Sequence, residues 1–101
     1  MNTSFTHAEE KTLGRIYIFV DGKEGGFIEY LIRADNSINA HETLVHERFR
    51  GKGLAGLLFD ELIAYSKTKN YKIYPTCSFI VKSFERHQEL SDLLAADYKN
   101  A

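Results

Sequence analysis

Cysteine, long apolar runs, net charge and low complexity are all scarce in this sequence, and each scarcity closes off a class of protein. Cys77 is the one cysteine among 101 residues. An intramolecular disulfide framework is therefore excluded, and the reducing cytoplasm is the expected compartment. No stretch approaches the ~20 apolar residues needed to cross a bilayer, and Met1 to Glu10 contain nothing like the apolar core of a signal peptide. Thirteen Lys and Arg stand against fourteen Asp and Glu, a formal net charge of -1. No overall field then draws the chain to nucleic acid or to an anionic membrane. Internal repeats, linkers and low-complexity tracts are missing too.

What is present has the composition of a globular protein, with 44% hydrophobic and 13% aromatic residues. The length suits one domain over residues 1–101, able to bury roughly two-thirds of its unfolded surface. Residues 1–13 are polar and aperiodic, which reads as a flexible lead-in or a short edge element. Arg15 to Val20 is rich in β-branched and aromatic residues. Asp21 to Gly26 supplies turn chemistry, and Phe27 to Arg33 returns, which predicts a hairpin. After a second turn at Ala34 to Ser37, Ile38 to Val45 reads as a third strand.

Leu54, Leu58, Leu62 and Tyr65 recur at helical spacing, so a helix is expected from Leu54 to Lys69. Lys67 and Lys69 suit its negative end, and Asn70 suits a left-handed stop. A strand at Tyr71 to Tyr74 follows, then a helix from Ser78 to Glu89 with Ser78 as N-cap. Strands first and a helical crossover later predict an α+β fold with a mixed, mostly antiparallel sheet and two main helices.

The most informative segment is Arg50-Gly51-Lys52-Gly53-Leu54-Ala55-Gly56, glycines placed directly before a helix. Backbone N–H groups of such a loop, with the positive end of the helix dipole, can hold a diphosphate. A plain tight turn is the other reading. The text Gly51-Lys52-Gly53-Leu54-Ala55-Gly56 also fits the dinucleotide pattern G-x-G-x-x-G. However, His46 to Arg50 separate it from the strand, and no acidic residue stands about 20 positions on to hold a ribose. A Walker loop fails because no Lys followed by Ser or Thr closes the spacing.

Arg50-Gly51-Lys52-Gly53-Leu54-Ala55 matches the [Q/R]-x-x-G-x-[G/A] pattern of the GNAT acetyltransferase superfamily. With Glu42-Thr43-Leu44-Val45 before it, and Cys77-Ser78-Phe79 and His87 after it, the chain resembles the small stand-alone GNAT-like proteins from about Arg15 to Leu94. The resemblance implies a sheet splayed open between the strand ending at Val45 and the strand near Ile73. It implies acetyl-CoA as co-substrate and no metal. The pantetheine arm would pair near Leu44 and Val45, the pyrophosphate would rest on Arg50, Gly51, Lys52, Gly53, Leu54 and Ala55, and the thioester would point toward Cys77.

Acetyl transfer needs a neutral amine, a polarised carbonyl and a proton route. Cys77 precedes a helix N-terminus, where the dipole favours thiolate, so it is either an acetyl-accepting nucleophile or a small buried residue. Glu42 and His41 are candidate bases or merely solvated strand residues. Relatives commonly carry histidine next to the threonine matching Thr43, and here it stands one place earlier. His87 serves as an acid or caps the last helix.

The expected function is acetyl-CoA-dependent N-acetyl transfer to an amine of a small molecule or protein. The alternative is a non-catalytic CoA or acyl-CoA-binding module. A nucleic-acid site at Arg48, Arg50 and Lys52 is disfavoured by the near-neutral charge. The short chain suggests an open cleft, the near-neutral charge and lack of apolar runs suggest no nucleic-acid or membrane partner, and an edge strand at Arg15 to Val20 would allow a monomer or weak dimer.

Overall fold

The computed structural model describes residues 1–99; of the domain expected over 1–101, the last two positions lie outside the described residues. The elements in chain order are β1 (Thr3–Glu9), β2 (Leu13–Val20), β3 (Lys23–Ile32), β4 (Ile38–Val45), a 3-10 turn (Glu47–Phe49), α1 (Leu54–Lys69), β5 (Ile73–Pro75), α2 (Ser78–Arg86) and a second 3-10 segment (Gln88–Leu93). The five strands form one sheet in the order β1-β2-β3-β4-β5. Every pairing is antiparallel except β4 with β5, because α1 crosses over between those two strands. This is the expected α+β fold with its mixed sheet and two main helices.

Strand alternation decides the core. On β2, Gly14, Ile16, Ile18 and Val20 are buried while Leu13, Arg15, Tyr17 and Phe19 are half-buried. The buried set joins Ile28, Tyr30, Ile38 and Ala40 beneath Leu54, Leu58, Phe59, Leu62 and Ile63 of α1 and Ile80 and Phe84 of α2. Phe59 and Phe84 meet edge-on at 5.4 Å, locking the two helices together. Both helices therefore cover one face of the sheet. Among the described residues no helix covers the other face, which presents Arg15, Tyr17, Phe27 and Glu29.

Three elements differ from expectation, and at a fourth the structure selects one of two alternatives. Residues 3–9, expected as a lead-in or a short edge element, take the second alternative as the edge strand β1, so β2 lies between β1 and β3 and is not itself an edge. The polar side chains of β1 reach β3, α1 and the segment just after α1: His7 Nε2 lies 2.7 Å from Glu61, and Glu9 accepts hydrogen bonds from Tyr30, Tyr65 and Tyr71 at 2.7, 2.8 and 3.1 Å. The first hairpin turn is not Asp21 to Gly26 but the pair Asp21-Gly22, with Val20 opposite Lys23. Both turn residues have positive φ, 49° and 83°, as the twist of a two-residue hairpin demands. Gly26 lies inside β3 for a different reason: a Cβ there would stand 2.2 Å from the Leu44 carbonyl oxygen.

The strand expected at 71–74 begins at Ile73, because the Tyr71 N–H still bonds to Ser66 O and finishes α1. Asn70 takes the left-handed stop with φ 60°. The last helix, expected over 78–89, ends at Arg86, and Cys77 rather than Ser78 occupies its N-cap, without a side-chain cap bond.

The splay lies where it was expected. Pairing of β4 with β5 covers Ile38 to Ala40 only. The Ala40 carbonyl then accepts both the Thr76 and Cys77 N–H groups, at 3.0 and 3.1 Å, as the chain turns into α2. Beyond this point, from His41 to Val45, β4 has no strand on that side among the described residues.

Candidate active site

The glycine loop is set by backbone dihedrals. Gly51 and Gly53 have φ values of 80° and 78°, a region that strains other residues, and a Cβ at either would meet nothing within 4 Å. Glycine is thus required for shape, and the loop surface is bare. Phe49 is buried and anchors the link from β4, while the Arg50 Nε–H donates to Val45 O at 3.3 Å. Val45, Phe49, Arg50, Gly51, Gly53, Leu54 and Ala55 line a hollow of about 220 Å³ at the start of α1. Gly53 is the N-cap and supplies no side chain, so the first-turn N–H groups have no side-chain cap. The hollow collects the expected loop residues except Lys52, which is exposed beside it.

Cys77 stands at the mouth of the splay. It is partly buried, and its Sγ lies 3.4 Å from Thr43 Oγ1, turned toward β4. The thiol therefore does not cap α2.

His41 and Glu42 are brought together by a β-bulge. Glu29 pairs with Glu42 and Tyr30 with Ala40, leaving His41 as the extra residue on β4. Donor atoms of Glu29, His41 and Glu42 then lie within 4.8 Å of one another, the group among the described residues with the spacing of metal ligands. One oxygen of Glu29 is already taken: the Arg15 Nε–H donates to Oε1 at 2.9 Å. Arg15 also lies 4.0 Å from the centroid of the Phe27 ring. Its hydrogen bonds to Tyr17 and then Glu29 push the guanidinium pKa further up. The second oxygen of Glu29 lies 3.0 Å from His41 Nε2.

His87 stands apart from this group. It is the C-cap of α2, its N–H bonds to Ser83 O and Phe84 O, and its ring stacks on Phe59 at 6.2 Å. Its side chain is 52% exposed, with Nδ1 3.4 Å from Glu89.

Sequence reading missed Glu29, Arg15 and the Thr43 hydroxyl as parts of this region. Reading Asp21-Gly22 as the complete turn would have placed β2 and β3 side by side. The Gly25 bulge then shifts the pairing by one residue, to Arg15 opposite Glu29.

Comparisons with known proteins agree with this geometry. A family model described as GCN5-related N-acetyl-transferase matches residues 15–93. No curated protein sequence matches the chain. Among solved structures, a ribosomal-protein-alanine N-acetyltransferase from Brucella melitensis biovar Abortus 2308 is 19% identical with a TM-score of 0.60, covering 92% of this chain and 72% of its own. A GNAT family acetyltransferase from Elizabethkingia anophelis with acetyl-CoA bound is 18% identical with a TM-score of 0.60, covering 77% of this chain and 52% of its own. At these identities the likeness is one of fold. The family itself rests on the matched stretch, which runs from Arg15 through the glycine loop and Cys77 to the end of the second 3-10 segment: the chain belongs to the GCN5-related N-acetyltransferases, the GNAT family.

Proposed function

We propose that the chain is an acetyl-CoA-dependent N-acetyltransferase with an amine acceptor. The observation that carries this reading is the coincidence of two features: a β4 edge left free from His41 to Val45, and a bare two-glycine loop at the N-terminus of α1, directly after that edge. An extended amide-bearing arm can pair with the free edge near Leu44 and Val45, while the diphosphate at its other end rests on N–H groups of the loop from Arg50 to Ala55. Lys52 and Arg50 add positive charge beside it.

At the far end of the free edge lie Cys77 and the Glu29, His41 and Glu42 group. In the direct route His41 or Glu42 takes a proton from the ammonium, and the amine attacks the thioester carbonyl. In the two-step route the Cys77 thiol first attacks that carbon, and CoA leaves with the thiol proton. The amine then attacks the acetyl carbonyl carbon, and the Cys77 sulfur leaves as thiolate and takes the proton released from the nitrogen. The Thr43 contact holds the sulfur toward β4, which supports this second route. His87 takes no part in either, since its contacts are with Phe59, Glu89 and the end of α2.

The reading is tested by titrating labelled protein with acetyl-CoA, CoA and NAD while following the amides of Gly51, Gly53, Leu54 and Ala55. Shifts with both CoA species and none with NAD are expected. Binding without CoA release in the presence of amines would leave a CoA-binding module and remove the enzyme. Rapidly quenched intact-mass measurement then separates the routes: an acetyl adduct lost in Cys77→Ser supports the two-step route, and no adduct with a normally active Cys77→Ser protein removes it.

A further inference from the structure

The transferase reading leaves two groups, His41 and Glu42, competing to take the acceptor's proton, and the surroundings of His41 separate them. Its Nε2 is sealed from solvent and has no well-aligned hydrogen bond among the described residues. The neighbour that can serve it is the Glu29 carboxylate, 3.0 Å away and out of line with the ring. Water cannot reach this atom, so an Nε2–H has Glu29 as its natural acceptor. The imidazole as a whole is 31% exposed. Among the described residues Nδ1 has no hydrogen-bond partner, and it is not one of the sealed atoms, so it is the ring nitrogen open to a ligand.

Glu29 is itself immobilised. Its side chain is 14% exposed, and its other oxygen is held by Arg15, which is braced by the Tyr17 hydroxyl at 3.4 Å and the Phe27 ring. Three adjacent strands thus contribute a chain of contacts, from Tyr17 and Arg15 on β2 through Glu29 on β3 to His41 on β4. Glu42 has no such brace among the described residues. The charged groups surrounding the imidazole are Glu29, Glu42 and, behind Glu29, Arg15.

We propose that Glu29 is the positioning residue of the acceptor site: it holds the Nε2–H of His41 and so presents Nδ1 as the atom that receives the proton of the incoming ammonium. This rests on the transferase reading above. In the step, one ammonium N–H bond breaks and an Nδ1–H bond forms. The electron pair left on the amine nitrogen attacks the acetyl carbonyl carbon. CoA, or Cys77 in the two-step route, leaves as thiolate and takes the second proton released from that nitrogen. The positive charge transferred to the imidazole is offset by the Glu29 carboxylate. The same arrangement explains how a histidine displaced by one place along the strand can still serve, because the bulge turns it to the face that carries Glu29.

Two measurements on the full chain test this. The first is imidazole 15N NMR. An Nε2–H signal of His41, protected from exchange, is expected in the wild type and is lost in Glu29→Ala. A proton on Nδ1 in the wild type, or an Nε2–H signal unchanged in Glu29→Ala, overturns the proposal. The second is steady-state transfer from acetyl-CoA to polylysine. Glu29→Gln keeps the side-chain shape and is expected to lower kcat on the order of 10-fold with KM for acetyl-CoA unchanged. Glu61→Gln, which removes the carboxylate beside His7, is expected to behave as wild type. A Glu29→Gln enzyme with wild-type kcat overturns the role of Glu29 and leaves the transferase reading standing. A wild type that binds acetyl-CoA but transfers acetyl neither to polylysine nor to small primary amines removes both.

Discussion

Glu9 shows how one carboxylate can hold an edge strand. Burial by itself would raise its pKa, but the hydroxyls of Tyr30, Tyr65 and Tyr71, with Lys69 3.7 Å away, outweigh this and hold it below its ordinary value of 4.5. The cost falls on its partners: burial, and then the bond to Glu9, pushes Tyr71 up to about 12 and Tyr30 higher still. A depressed folded pKa means that the ionised form stabilises the fold at neutral pH, and that this contribution is lost as pH falls through the folded value. Glu9→Gln is therefore expected to cost about 1–2 kcal/mol at pH 7. The gap in Tm between variant and wild type should close as the pH drops below 4.5. A gap that stays constant to pH 3 would show that the three hydroxyls do not depend on the charge. At Gly53, whose φ is 78°, substitution by alanine forces a left-handed conformation. Gly53→Ala is expected to cost about 1–2 kcal/mol of stability and to weaken acetyl-CoA binding, read by thermal melting and calorimetry.

At the scale of elements, α1 is the member on which both halves of the fold rest. Leu62 is fully buried in the core cluster that joins α1 to the sheet and α2. Leu62→Ala is expected to lose about 2–5 kcal/mol, seen as a Tm drop on the order of 10–20 °C. Residues 54–69 were legible by their helical periodicity, and residues 38–45 by the turn signal at Ala34 to Ser37 that precedes them. Residues 3–9 were legible only as one of two alternatives, because they carry little apolar periodicity of their own and the side-chain contacts that add to their pairing with β2 are with Tyr65, Tyr71 and Glu61, more than 50 positions away. The candidate site divides in the same way. The loop from Arg50 to Ala55 is contiguous, and its chemistry is written in order along the chain. The pairing of Glu29 with His41 depends on two bulges, at Gly25 and His41, each of which shifts the register by one residue. Nothing in strand alternation alone announces such a shift, and a slip of one residue moves every side chain to the opposite face.

At the scale of the molecule, the two faces of the sheet are divided in purpose. One is sealed by α1 and α2. The other carries Arg15, Tyr17, Phe27, Glu29 and the bulged part of β4, and no described helix covers it. Among the described residues no helix is long and apolar enough to cross a membrane. The proposed cosubstrate would lie along the splay and the proposed acceptor would come to the open face, so the two ligands meet across β4. Substitutions on the open face are expected to change acceptor kinetics and leave acetyl-CoA affinity alone. Arg15→Gln tests this, since it releases Glu29 without touching the loop. A changed acetyl-CoA affinity in that variant would show that the two ligand surfaces are not separate.

The unpaired stretch of β4 from His41 to Val45 has a consequence for the lifetime of the chain. A strand edge with no neighbour exposes backbone groups that invite self-association. A ligand that pairs with it supplies the missing hydrogen bonds and binds the folded chain alone. Such a ligand stabilises in proportion to the logarithm of its concentration, by about 2.7 kcal/mol at a hundredfold excess over Kd. Resistance to proteolysis would then follow the supply of acyl carrier, and a starved cell would hold fewer copies of the protein at an unchanged rate of synthesis.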